Sequence, residues 1–258
     1  MRRSGFTLIE CLVVMAIVAV LTGVLLPALA ACRDRGRSVA CQVNLRQNAA
    51  ATLVFVHNEE QFPFGFCSVG GFSSAPPGGY VGDAADDWRG WWWFHQIADS
   101  KTPREDASFR CPSSLKTDNM LCGNYGANYA VYKIGDPGSD PEFFGDPPKS
   151  TRLSQSSRTL LLVDSGYTLI SWKVTLPQSK VSFEIPERLS SFFLPGLAVN
   201  VGRTIAPHQQ TDAVKGRHWK RAVNAAFGDG HVDSLRASQL AASDADDGAA
   251  GPFYRWGP

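Results

Sequence analysis

The stretch that decides the fold runs from Gly5 to Ala31, GFTLIECLVVMAIVAVLTGVLLPALAA, and follows the short basic leader MRRS. Between Cys11 and Ala31 there is no charged residue, so the run can cross a hydrocarbon core of about 30 Å as one helix. A cleaved secretory signal has an apolar core of roughly 7–15 residues. The run here is too long for that, and an anchor is favoured. One residue does not suit a plain anchor. Glu10 stands at the head of the apolar run with Thr7 as its polar neighbour and no Lys or Arg within the span. A carboxylate at membrane depth costs roughly 2.5–3.5 kcal/mol on insertion scales, so its partner is expected from another molecule.

Residues GFTLIE resemble the cleavage and methylation motif of type IV prepilins and type II secretion pseudopilins. The resemblance implies that a prepilin peptidase cuts after Gly5 and that the new terminal residue, Phe6, is methylated on its amine. It also implies that Glu10 pairs with the N-terminal amine of a neighbouring subunit in a filament. Pro27 stands where pilin helices carry a proline, and a proline inside a helix removes one hydrogen bond. Basic residues flank both ends of the span, Arg2 and Arg3 before it, Arg33, Arg35 and Arg37 after it. Charge counting therefore leaves the topology open. The resemblance places the leader in the cytoplasm and the body outside, periplasmic or extracellular, with a single pass through the inner membrane.

Beyond the span, residues 32–58 read as the amphipathic half of the same helix. Val39, Val43, Ala50, Leu53, Val54 and His57 follow helical spacing, with Arg46, Gln47 and Asn48 mostly opposite. The expected organisation is a leader at 1–5, a transmembrane half-helix at 6–31, an amphipathic half at 32–58 and a globular domain at 59–258. The fold class is α+β: a long N-terminal helix packed on a small antiparallel sheet in a loop-rich, pilin-like domain.

Inside the domain the Gly, Pro and Ser of FPFGFCSVGGFSSAPPGGY mark irregular chain. Trp88, Trp91, Trp92, Trp93 and Phe94 then form an aromatic cluster, which suits either a core element or a platform for sugar rings. A Trp-bearing helix before a Cys-Pro-Ser element, here FRCPS at Phe109–Ser113, resembles related pilin-like proteins. NYGANYAV reads as a loop. TLLLVDSG and YTLISWKV read as two strands, the first ending at Asp164. Two apolar runs around Gly228-Asp229-Gly230 predict a hairpin over 222–235.

The six cysteines contain no Cys-x-x-Cys pair and fit no zinc spacing. Cys32 and Cys41 sit on the long helix, too far apart to bridge each other. Cys111 and Cys122 enclose a turn-rich stretch and suit a local disulfide if the body lies outside the cytoplasm. RHWKRAVNAAFGDGHVDSL resembles a C-terminal element of prepilin-like proteins, in which a His precedes Asp-Gly by nine residues. Here ten residues separate His218 from Asp229-Gly230, with His231 after. His218, Asp229 and His231 weigh more as structural groups than as a metal triad or an acid–base pair. Asp244, Asp246 and Asp247 offer hard oxygen donors for calcium without the EF-hand pattern; otherwise no cofactor is expected.

Net charge is +1, which gives no field for nucleic acid. No phosphate-binding loop, dinucleotide fingerprint, nucleophile elbow or zincin helix occurs, so a non-enzymatic role is expected. The expected partners are the peptidase, other pilin-like subunits and the inner membrane. The alternatives are a pilus subunit for adhesion or motility and an anchored sugar-binding module built on Trp91–Trp93.

Overall fold

A computed structural model describes residues 7–68, 74–76, 79, 89–98, 107–114, 120–138, 140–153, 155–176 and 192–241. Gly5, Phe6, Trp88, Asp244, Asp246 and Asp247 lie outside them. Helix α1, Leu8–Glu59, is a single 52-residue element containing Pro27, about 78 Å long at 1.5 Å per residue. Its first half is bare: Leu12, Val13, Ile17, Val20, Val24 and Leu25 are all exposed, and none of its most apolar 18-residue window is buried. An exposed apolar surface of this size marks a membrane or protein contact.

The second half of α1 packs on the body through Cys41, Leu45, Asn48, Ala49, Thr52 and Val56. These repeat every three or four residues and form one stripe. The stripe is not the one that the valines suggest. Val39, Val43 and Val54 are 50–62% exposed, and Ala50 and His57 are exposed as well. The buried face instead combines apolar Cys41, Leu45, Ala49 and Val56 with polar groups bonded to the body. Asn48 donates to the Ser108 carbonyl (2.9 Å), Asn44 to the carbonyls of Ala107 and Arg110, and Tyr132 donates its hydroxyl to Thr52 (2.9 Å).

The sheet against this stripe has five strands in the order β5-β3-β4-β6-β7. They are β3 (Tyr125–Asn128), β4 (Leu160–Asp164), β5 (Leu169–Ile170), β6 (Ala222–Phe227) and β7 (Val232–Arg236). All neighbouring pairs are antiparallel except β3 and β5. Strand β4 is buried at every position, which is why it reads as a continuous apolar run. NYGANYAV is not a loop. Its residues Tyr125–Asn128 form a strand near the centre of the sheet, fully buried. The glycine that suggests a turn is required by packing, because a Cβ at Gly126 would meet the Tyr167 carbonyl at 2.8 Å. YTLISWKV is a strand only at Leu169–Ile170; Trp172–Thr175 winds into a 3₁₀ turn.

A second, two-stranded sheet pairs β1 (Phe66–Ser68) with β2 (Gly90–Trp92). It leads directly into the short helix α2, Trp93–Ile97. Trp92, Trp93 and Phe94 are at most 2% exposed, and Trp93 donates its indole N–H to the Thr168 carbonyl and hydroxyl. These rings build the core and present no face to a sugar, so the platform on Trp91–Trp93 is ruled out for two of its three rings.

His95 is buried in the same cluster, where Nδ1 accepts the Trp92 N–H (3.0 Å). Burial pushes its pKa down from 6.5 to about 4. It is neutral in the fold, whereas the unfolded chain takes up a proton below about pH 6.5. The unfolded state binds more protons in that window, so stability falls as pH drops from about 6.5 to about 4, by up to roughly 3 kcal/mol. Urea unfolding of the detergent-solubilised chain, followed by Trp fluorescence at pH 7 and pH 4.5, should show this loss. His95→Gln, which keeps an acceptor for the Trp92 N–H, should remove most of it.

Candidate functional site

Two places hold polar groups in positions that packing alone does not call for. The first is the head of α1. Thr7 caps the helix, and its backbone N–H (2.8 Å) and hydroxyl (2.7 Å) both donate to Oε2 of Glu10, while the Glu10 N–H donates back to the Thr7 hydroxyl. TLIE is thus a capping box. In the single chain the carboxylate thus has neutral donors from Thr7, and no cation pairs with it among the described residues. Among the described residues, both bonds fall on Oε2, and no bond is made to Oε1. The first-turn carboxylate also faces the positive end of the helix dipole. Glu10 is therefore held in one orientation, with an oxygen to spare.

The second place is a buried polar hub where four distant segments meet. Asp164 ends β4 and is completely buried. Its Oδ2 accepts the Asn224 N–H from β6 (2.7 Å) and lies 3.0 Å from Nε2 of His218. Arg217 lies beside them with its side chain fully buried, 3.7 Å from Asp164 and 2.7 Å from Asp212. Its guanidinium also donates to the carbonyls of Asn124 (2.7 Å) and Ser165 (3.0 Å). Burial alone would lower the Arg217 pKa, but Asp212 and Asp164 outweigh it and hold it above the usual value. The chain reaches this position through Gly216, whose φ of +81° only glycine adopts at little cost.

Cys111 borders the hub, its sulfur 3.9 Å from Nε2 of His218. The structure bonds it to Cys41 of α1. The pairing with Cys122 is therefore corrected: Cys122 forms no disulfide, nor do Cys11, Cys32 and Cys67. Cys41 cannot bridge along its own helix, but it lies on the buried stripe that faces FRCPS. There the Asn44 and Asn48 bonds to residues 107–110 hold the two backbones side by side.

The C-terminal element divides between two environments. His218 belongs to the hub and is 7% exposed. Asp229 and His231 belong to the exposed turn between β6 and β7, where the His231 N–H and ring bond the Asp229 carboxylate. These bonds hold Asp229 below its usual pKa although burial works the other way. The His231 ring stacks on Phe227 at 4.4 Å, and Gly230 takes φ +86° to close the turn. His218, Asp229 and His231 thus do not share one hydrogen-bonded triad; His218 takes Asp164 as its carboxylate. Between His218 and β6, Lys220 and Arg221 both have left-handed φ, and the β6–β7 pairing that follows is regular.

Residues 1–26 match the prokaryotic N-terminal methylation motif. With the long apolar helix, this fits a type IV pilin-like protein. No curated protein and no solved structure matches the chain significantly. The pilin-like motif and the bare helix are consistent with anchoring in a membrane. The motif supports processing as a pilin-like subunit, which needs a prepilin peptidase.

Sequence reading missed the capping role of Thr7, which the Thr-x-x-Glu spacing announces. It also missed Arg217, whose place beside His218 in a basic run looks like solvated surface. Asp164 reads from the sequence as a strand end, and nothing near it in the chain indicates its partners.

Proposed function

We propose that the chain is a structural, non-catalytic subunit of a type II secretion or type IV pilus-like filament. It would wait in the inner membrane with its body on the far side, lose residues 1–5, and assemble by burying α1 against the helices of other subunits. The observation that carries this reading is the bare first half of α1, headed by Glu10 at the fifth place after the Gly5 cleavage position. A second apolar stripe supports it. Val39, Val43, Ala50 and Val54 continue along the outer side of α1, away from the body, where a neighbouring subunit's helix can cover them. The Cys41–Cys111 disulfide supports a body outside the cytoplasm, since disulfides persist in oxidising compartments. Assembly on these terms needs no catalytic group and no cofactor.

The test is the intact mass and N-terminal peptide of the membrane-purified protein, made with and without prepilin peptidase. A chain starting at N-methyl-Phe6 only when the peptidase is present is expected. A chain that keeps Met1 in its presence, or one cut near Ala31, overturns the reading. A secretin and assembly ATPase beside the gene, with short filaments, would separate the secretion class from long adhesive or motile pili.

A further inference from the structure

The hub has a property that the filament reading does not use. Sγ of Cys41, Sγ of Cys111, a carboxylate oxygen of Asp164 and a ring nitrogen of His218 all lie within 4.8 Å of one another, and all four residues are buried. Nδ1 of His218 has no hydrogen-bond partner among the described residues, and Oδ1 of Asp164 has none beyond its 3.7 Å ion pair with Arg217. Buried polar atoms left in this state are costly. The other atoms of the same two groups, Oδ2 of Asp164 and Nε2 of His218, lie 3.0 Å apart beside the sulfurs, with Sγ of Cys111 3.9 Å from Nε2.

We propose that the reduced chain binds one divalent cation of the zinc class on Cys41, Cys111, Asp164 and His218, and that the disulfide is the oxidised alternative to this site. Two thiolates, an imidazole and a carboxylate are donors that zinc accepts in tetrahedral geometry, whereas calcium and magnesium require oxygen. Zn–S bonds of about 2.3 Å set the two sulfurs roughly 3.8 Å apart, so the sulfurs bonded to each other in the structure must part on reduction before the cation fits between them. Charge also balances. A disulfide is neutral, and two thiolates with a doubly charged cation sum to zero, so the exchange adds no net charge to a buried hub that already holds Asp164, Asp212 and Arg217. An uncompensated charge there would be strongly disfavoured.

The exchange is a two-electron step. A dithiol or phosphine reductant breaks the Cys41–Cys111 bond and is itself oxidised, and the two sulfurs take up two protons. The cation then binds both as thiolates and releases those protons. The ligands come from α1, from FRCPS, from the end of β4 and from the C-terminal element. Either the disulfide or the metal therefore ties the anchor helix to the body, and the metal extends the tie to the sheet. No short-range Cys or His spacing encodes such a site, which is why the cysteine pattern gives no sign of it. The proposal stands apart from the filament reading, and each can fail without the other.

The test uses the full chain in detergent micelles, reduced with a water-soluble phosphine, freed of it without air, and titrated with cobalt(II) and then zinc(II). Thiol counting should rise from four in the oxidised chain to six in the reduced one, since four of the six cysteines lie outside the disulfide. One equivalent of cobalt should give thiolate charge-transfer and intense tetrahedral bands, and zinc should abolish them. Cys41→Ser should at least halve the thiolate bands, Cys41→Ser with Cys111→Ser should remove them, and His218→Gln should weaken binding at least about ten-fold. Cys122→Ser should change nothing. If reduction unfolds the body, zinc should restore its Trp fluorescence. A reduced, folded chain without tetrahedral bands overturns the proposal. So do bands undiminished in Cys41→Ser or surviving Cys41→Ser with Cys111→Ser, bands lost in Cys122→Ser, or an unfolded chain that zinc leaves unfolded.

Discussion

Replacing Arg217 by methionine is expected to lower the unfolding free energy of the body by about 3–5 kcal/mol, the range for breaking a buried ion pair from one side. Methionine is close in length and fills most of the space, so the loss reports charge more than volume. Two carboxylates, Asp164 and Asp212, stay in the interior without their cation, and the carbonyls of Asn124 and Ser165 lose the donor they now have. Neither carboxylate can turn to water: Asp164 is completely buried and Asp212 is 9% exposed. Urea titration of the full chain in micelles, read by Trp fluorescence, measures the loss. Adding Asp212→Asn to Arg217→Met should recover part of it, because one orphaned charge is gone. Strict additivity of the two changes, or a loss under about 1 kcal/mol for Arg217→Met, would show that the hub carries little of the stability.

That hub illustrates what a linear sequence conceals. The apolar span, Glu10 and the runs TLLLVD and VNAAF were legible because each is a local pattern whose period or length betrays its environment. The C-terminal turn at Gly228-Asp229-Gly230 was legible because turn chemistry is written in adjacent residues. The buried face of α1 was not. Val39, Val43 and Val54 advertise a core stripe, yet polar Asn44, Asn48 and Thr52 face the body because Ala107, Ser108, Arg110 and Tyr132 supply their partners. Hydrophobicity ranks residues singly and cannot foresee a hydrogen bond across 60 residues of chain. The same limit applies to Cys41 and Cys111, 70 residues apart, and to His218 and Asp164. It also applies to Tyr125–Asn128, where Gly126 and the asparagines imitate a turn although Asn128 donates to the Leu160 carbonyl inside the sheet. Contacts between residues far apart in the chain, whether hydrogen bonds, a disulfide or close packing, decided these misreadings.

The other large effect is expected at Glu10. Its carboxylate has two roles that separate by mutation: it caps α1 with Thr7, and in the proposed filament it meets the N-terminal amine of the next subunit. Glu10→Gln keeps an oxygen for the Thr7 N–H and hydroxyl but loses the charge. If the inter-subunit pair contributes about 2 kcal/mol at each junction, its loss weakens each by roughly thirty-fold, and a polymer multiplies that at every step. Glu10→Gln should therefore insert and be cleaved normally while sheared or electron-microscopic preparations contain few or no filaments. Thr7→Ala removes the cap at about 1 kcal/mol but leaves the charge, so it should assemble at reduced yield. The order matters more than either value. Glu10→Gln filaments as abundant as those of the parent would mean that capping is the whole role of Glu10. Thr7→Ala failing as completely as Glu10→Gln would mean that assembly depends on how the cap orients the carboxylate, and that the oxygen left open at Oε1 reaches its partner only when Thr7 holds its twin.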